Sequence, residues 1–234
     1  MAKRQGGIGS GLGLLGTVRS MVSILKEMSF DDVRDEAERA PRLLILASTS
    51  EDARTLADLL TGERQAGVVD PRVDRPSPSD LTIYDALIVH GPQSGAIADR
   101  LREQVDGKSG GSPVFRYEGD APLDPKQLAG LRQRMMERLQ DRAPAFGRAF
   151  LAFRASSAKA VIDETAKANA QFALISNIPA VVPIVGGLMA ASADFLVLTK
   201  NQLMLLYKIA AIHGRDLGDQ FGIIREMVPV VGAG

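Results

Sequence analysis

The spacing of apolar residues changes several times along this chain, and each change marks an element. Val18, Met21, Val22, Leu25 and Met28 recur at helical spacing, with Arg19, Ser20, Ser23, Lys26 and Glu27 on the opposite face. That predicts an amphipathic helix, packed on its own domain or laid on a membrane or partner. Ser29-Phe-Asp-Asp caps a short acidic helix from Phe30 to Arg39, which Pro41 ends. From residue 40 to 142 the pattern alternates. Leu43 to Leu46, Gly67 to Val69, Ala86 to Val89 and Val114 to Tyr117 read as short strands, and Pro71, Pro76 and Pro78 mark a proline-rich loop. Between the strands, Glu51 to Leu60 carries a stripe of Ala53, Leu56, Ala57 and Leu60; Gly95 to Val105 is a further helix, and a long one starts after Asp124-Pro125. Continuous apolar strands alternating with helices predict a parallel sheet covered on both faces, a small three-layer α/β domain.

Beyond residue 142 the pattern is helical. Pro144 suits the first turn of a helix reaching about Phe172, with Phe146, Phe150 and Phe153 along one stripe. No residue from Ala168 to Ala193 is charged, and Asp194 is the only charged side chain between Lys167 and Lys200. Asn177-Ile-Pro179, Pro183 and Gly186-Gly187 cut this stretch into pieces, each shorter than the roughly 20 residues of a spanning helix. Three arrangements satisfy it: a broken or re-entrant membrane hairpin, a buried helical hairpin in a soluble or oligomeric core, and two ordinary spans. Leu196 to Ile212 is another helix, with Leu203, Leu206, Tyr207 and Ala210 on one face and Gly214 closing it. Pro183-Ile-Val-Gly186 recurs as Pro229-Val-Val-Gly232, which predicts that the chain is an N-terminal fragment of a longer protein with a further apolar helix. The fold class expected is α/β plus α. Residues 1–39 form a glycine-rich segment and amphipathic helices, 40–142 the α/β domain, and 143–234 an apolar helical domain with a broken hydrophobic hairpin.

Composition narrows the function. With 28 Lys and Arg against 28 Asp and Glu, the chain has no charge excess with which to neutralise phosphates, and without Trp it has little on which to stack bases. Nucleic acid is therefore not the expected partner. The absence of cysteine excludes disulfides, thiolate zinc sites and a cysteine nucleophile, and fits residence inside the cell. Met1-Ala-Lys-Arg is followed by glycines and not by an apolar run, so it reads as an uncleaved start. Gly11-Leu-Gly13-Leu-Leu-Gly16 matches a dinucleotide fingerprint in letters, but no strand precedes it, and it reads as a flexible or closely packed segment.

The first strand, loop and helix have the frame of a phosphate-binding loop. Such a loop needs glycines that let backbone N–H groups wrap phosphates, a Lys to neutralise them and a hydroxyl to hold magnesium. Here Ala47 and Asp52 stand where the glycines belong, Ala53 where the Lys belongs and Arg54 where the hydroxyl belongs. After the third strand comes His90-Gly91-Pro92-Gln93 in place of a GTPase DxxG; after the fourth, Tyr117-Glu118-Gly119-Asp120 in place of NKxD, with only Asp120 matching. Ser48, Thr49, Ser50, Arg54, Thr55 and Asp120 are thus the candidates for a degenerate nucleotide site that would take GTP with magnesium, Asp120 serving equally as a turn former. Gly107-Lys108-Ser109 follows a helix and precedes a strand, the reverse of a phosphate loop, and reads as a solvated turn. No catalytic residue is assigned, no HExxH or nucleophile elbow occurs, and no grouped carboxylates have metal spacing. His90 ends a strand, where it serves structure or acts as a general base in a cleft. An unpaired Asp194 would cost about 2.5 to 3.5 kcal/mol at a bilayer centre. It therefore calls for a partner: Lys200, with Asn201 beside it, completes a polar network that sets helix register or lines an ion path.

Ile175-Ser-Asn-Ile-Pro179, Pro183-Ile-Val-Gly186, Ala193-Asp194-Phe-Leu-Val-Leu-Thr-Lys-Asn-Gln202-Leu-Met-Leu, Lys208-Ile-Ala-Ala and Gly214-Arg-Asp-Leu-Gly resemble the domain of unknown function 697, the YcjF-type family. The resemblance covers residues 145 to 234. It implies a helical, membrane-associated module that follows a GTPase-like domain in bacteria, at the cytoplasmic face of the inner membrane. It transfers no catalytic residues. The function this implies is that of an accessory or scaffolding protein with a degenerate, non-hydrolysing P-loop-like domain, whose partners are the bilayer or a membrane protein and, by self-association, further copies. Two other readings fit the residues: a GTP-binding switch of weak or atypical activity, and a soluble helical oligomerisation module.

Overall fold

The apolar runs of the first half become four strands of one parallel sheet in the computed structural model. The structure describes residues 29–74, 77, 79–106, 112–118, 124–176, 187–220, 222–223 and 225, with the backbone path alone at 106, 174–176 and 187–196. In chain order these are α1 (Asp31–Glu38), β1 (Arg42–Leu46), α2 (Ser50–Thr61), β2 (Val68–Arg72), β3 (Ala86–Val89), α3 (Ser94–Asp106), β4 (Val114–Arg116), α4 (Pro125–Arg138), α5 (Ala143–Ala149), α6 (Arg154–Ser176) and α7 (Gly187–Ile212). Short 3-10 turns lie at Asp80–Ile83, Gln140–Arg142 and Leu151–Phe153. The glycine-rich segment, the helix expected at Val18 to Met28, the Gly107-Lys108-Ser109 turn, Asp120, the Asn177 to Gly186 break and the Pro229 echo lie outside the described residues.

The sheet order is β2-β1-β3-β4, with Leu43 opposite Val69 and Ala86, and Ile88 opposite Phe115. Period-two alternation sends Leu43, Ile45, Ala86 and Ile88 towards α2 and α4, and Leu44, Leu46, Leu87 and Val89 towards α3. Both faces are covered, which is why these strands are continuously apolar. The right-handed rule for parallel crossovers puts α2 on one face and α3 on the other. The β2 to β3 connection carries no helix: the Asp80–Ile83 turn inserts Leu81 and Tyr84 into the α3 face instead.

Several elements differ from the sequence expectation: α7 begins at Gly187 and not at Leu196, and α1 has Phe30 at its N-cap with no side-chain cap bond, where Ser29 was expected to cap it. The second strand runs on through Pro71 to Arg72, where a loop was expected. The Val68 N–H donates to the Pro41 carbonyl, so amides of even-numbered residues face β1, and Pro71 lies on the outward side of an edge strand where no ladder bond is lost. The single helix expected from Pro144 to Phe172 is two helices, broken at Phe150, whose backbone is extended (φ −128°, ψ 114°). There the chain pairs antiparallel with the α2–β2 connection: Gln65 N–H donates to the Ala149 carbonyl at 2.8 Å and Leu151 N–H to the Glu63 carbonyl at 3.0 Å. Backbone groups released by the break are thereby satisfied. The bend also gathers Phe146, Phe150 and Phe153 into one cluster, with ring centroids 5.3 to 6.0 Å apart. Gly67 makes room for it, since a Cβ there would lie 2.1 Å from the Phe150 ring.

The α/β and helical parts share a core across residue 142. Leu43, Ile88, Leu60 and Met135 belong to the same buried cluster as Phe146, Val161 and Ile212. Arg142 ties the seam. Its buried guanidinium donates to Asp85 Oδ1 at 2.9 Å, to Glu36 Oε1 at 2.6 Å and to the Glu36 and Arg39 carbonyls at 3.0 Å each, while Asp85 Oδ2 accepts from the Arg42 N–H. One side chain thus joins α1, the starts of β1 and β3, and the helical region. Burial alone would raise the Glu36 pKa; hydrogen bonds from Arg142 and Arg39 outweigh it and hold the carboxyl below its usual value.

Candidate functional site

In doubly wound parallel sheets, ligands bind beyond the strand C-termini where the chain turns opposite ways from neighbouring strands. Here β1 leads left to β2 and β3 leads right to β4, so the switch point lies between the ends of β1 and β3. A cleft of about 350 Å³ opens there, lined by Ala47 and Ser48 after β1, His90 and Gln93 after β3, and Val73 after β2. Gly91 sits at its wall with φ +115°, and a Cβ there would come 2.4 Å from Ser48 Oγ, so only glycine lets the two loops close this tightly.

Of the nucleotide-site candidates among the described residues, only Ser48 lines the cleft. Thr49 is the N-cap of α2: its hydroxyl accepts from the Asp52 N–H at 3.1 Å and donates to the Asp52 carboxylate at 2.7 Å. Glu51 and Asp52 occupy the first turn, so the positive end of the α2 dipole faces carboxylates of its own chain. Ser50, Arg54 and Thr55 are exposed, and Arg54 and Thr55 lie away from the buried face formed by Ala53, Leu56 and Ala57. The N-terminus of α3, on the other side of the cleft, has no acidic residue in its first turn and carries the Arg116 guanidinium, whose Nε donates to Ser94 Oγ at 2.9 Å. The two helix N-termini that flank the cleft thus differ in charge, α2 bearing carboxylates in its first turn and α3 none.

His90 has a buried Nδ1 with no hydrogen-bond partner, and its ring meets Tyr117 edge-on with centroids 5.2 Å apart. The Tyr117 hydroxyl accepts from the Asp124 N–H at 2.8 Å, which links the cleft wall to the cap of α4. Among the described residues, neither a carboxylate nor a nucleophile is bonded to His90. Among the described residues, no group of three or more His, Asp or Glu is placed to hold a metal ion.

The second region of interest is the pair α6 and α7. Asn201 Nδ2 donates to Asn169 Oδ1 at 2.8 Å, and Lys208 Nζ pairs with Glu164 at 2.8 Å. Asn169 and Glu164 had no signal in the sequence, because nothing local shows which turn of one helix faces which turn of the other. Lys200 is half-buried and makes no ion pair among the described residues; Asp194 lies in α7, its side chain outside them. From Ile162 to Ala173 no residue of α6 is buried, and among the α7 side chains described, from Val197 on, the first buried are Thr199 and Leu203. The two helices therefore leave the core as an arm. Among the described residues, no helix is long and apolar enough to cross a membrane.

Comparisons with protein-family models, curated proteins and solved structures gave no match.

Proposed function

We propose that this chain is an accessory or scaffolding protein that docks on the cytoplasmic face of the bacterial inner membrane through the end of its two-helix arm, with the α/β body as a P-loop-like, non-hydrolysing platform. The observation that carries this reading is the arm. Its outer part is unburied along α6, Leu198 of α7 is 39% exposed, and both helices run towards the uncharged stretch from Ala168 to Ala193. Apolar surface left in water forgoes about 25 cal/mol per Å², so such an end calls for a cover. Lys167 and Lys200 bracket the uncharged stretch, each within two residues of the Asn169–Asn201 contact, and so lie at one level of the arm. Cations at one level, with apolar chain beyond them, suit an interface with anionic headgroups. The resemblance to the YcjF-type family points the same way.

The platform reading draws on α2. A helix N-terminus capped by Thr49 and flanked by Glu51 and Asp52 repels the phosphate that a GTPase would hold there. Flotation of the full chain with vesicles containing anionic lipid tests the membrane part: salt-resistant flotation, lost in Leu198→Asp with unchanged thermal unfolding, is the expected result. A full chain that stays at the bottom of the gradient overturns it. Labelled GTP with magnesium is expected to show no saturable binding; saturation would replace the platform with a nucleotide switch.

A further inference from the structure

The two edges of the sheet are finished differently. At β2 the outward-facing residues are Val69 and Pro71, and Pro71 offers no N–H. At β4 the Tyr117 N–H donates to the Val89 carbonyl and the Leu87 N–H to the Pro113 carbonyl, both at 3.0 Å. That alternation turns the N–H and C=O groups of Val114 and Arg116 away from β3, and none of them has a partner among the described residues.

A groove of about 500 Å³ runs along this open edge. Arg102 of α3 stands on one wall, Arg134 and Arg138 of α4 on the other, and Arg116 projects from the strand itself; among the described residues, Glu118 is the only carboxylate in the lining. Arg102 is answered by Asp99 at 2.7 Å and Arg116 by the Ser94 hydroxyl, but Arg134 and Arg138 have no acidic partner among the described residues. The floor between them is apolar, made by Val105, Val114 and Phe115.

We propose that this groove takes an extended acidic segment of a partner protein, which adds to β4 as a fifth strand. A strand supplies both acceptors for the free N–H groups and donors for the free carbonyls of Val114 and Arg116; phosphate or a lipid headgroup supplies acceptors alone. Carboxylates on the added strand meet guanidinium groups on both walls, the pairing for which the planar Arg fork is suited. Apolar residues interspersed among them fill the floor. A second copy of this chain joined edge to edge would bring two sets of these arginines together, so self-pairing through β4 is opposed by like charge. Arginines on a short edge also discourage aggregation. That role needs neither the groove nor the apolar floor, and the two roles separate in solution.

The experiment uses the full chain without lipid, so it is independent of the membrane reading. The probe is a fluorescein-labelled peptide of alternating glutamate and valine, followed by anisotropy, with the same peptide N-methylated at every second residue as comparison. Saturable binding of the parent peptide is expected, weakened about tenfold or more in Arg134→Glu/Arg138→Glu, whose exposed positions on α4 leave the melting temperature unchanged. The methylated peptide is expected not to bind, and the Val114 and Arg116 amides to gain protection from hydrogen exchange with the parent. No saturable binding, equal binding of the two peptides, or indifference to the charge reversal overturns the proposal.

Discussion

Along α6 as far as Val161, and along α7 from Leu203 onward, side chains such as Ala160, Val161, Leu203, Tyr207 and Ile212 are buried, in cores that also hold sheet and α1 residues. Along α6 from Ile162 to Ala173 nothing is buried. The inner and outer parts of this hairpin are continuous in backbone and similar in composition, yet only the inner part is explained by packing. The outer part is held by polar contacts between the two helices, Asn201 with Asn169 and Lys208 with Glu164. Packing on the core therefore accounts for the inner part, and contacts between the two helices account for what is described of the outer part.

The sharpest break in this comparison is expected in the inner part. Phe146→Ala removes a fully buried ring that packs on Phe150, Phe153 and the sheet side of the core, and should cost about 3–5 kcal/mol in urea unfolding. A loss below about 1 kcal/mol would mean that the helical region does not share the core of the sheet.

Arg142→Met comes next, at about 2–3 kcal/mol, because Asp85 and Glu36 lose the cation that compensates their burial. Its pH dependence has a definite sign. The folded-state pKa of Glu36 is lowered, so its contribution is complete above the ordinary carboxylate value and is lost as pH falls through the lower folded value. Asp70 behaves alike, through the Arg72 hydrogen bond first and the Tyr84 hydroxyl as well, against the opposing effect of burial. The wild-type chain should therefore lose stability on acidification below about pH 4.5, with a smaller loss in Arg142→Met; equal melting-temperature losses in the two chains would contradict the clamp.

In the outer part the effects shrink. Asn201→Ala should cost about 1 kcal/mol, the worth of one part-buried hydrogen bond, and should raise hydrogen exchange along α6 beyond Ile162 while leaving the sheet protected. Exchange rising equally in β1 and β3 would show the arm and the core to be one cooperative unit. Smallest of all is Leu198→Asp, expected within about 0.5 kcal/mol of the parent in urea. Its consequence belongs to vesicle flotation, which should fail.

The strands were legible because burial on both faces leaves a continuous apolar signature, and the α2 and α4 starts because Thr49 and Asp124 cap in the ordinary way. The break at Phe150 was not. Phe146, Phe150 and Phe153 have helical spacing, and the two backbone bonds that offset the break come from residues 63–65, far away in sequence. Arg142 was invisible for the same reason: its partners Asp85 and Glu36 lie 57 and 106 positions away. At the candidate site, the sequence offered the hydroxyls of Ser48, Thr49 and Ser50 after β1 without showing which faces a cleft: Thr49 caps its own helix, and Ser48 lines the cleft.

What the amino-acid order determined by itself is local. Apolar period set helix against strand, and proline and glycine set most boundaries. The tertiary structure decided what depends on distant groups meeting: the sheet order, the bend that merges helical and sheet cores, and the open β4 edge between arginine walls. These are pairwise energies between residues tens of positions apart, and a one-dimensional pattern records the residues without recording which of them come within reach.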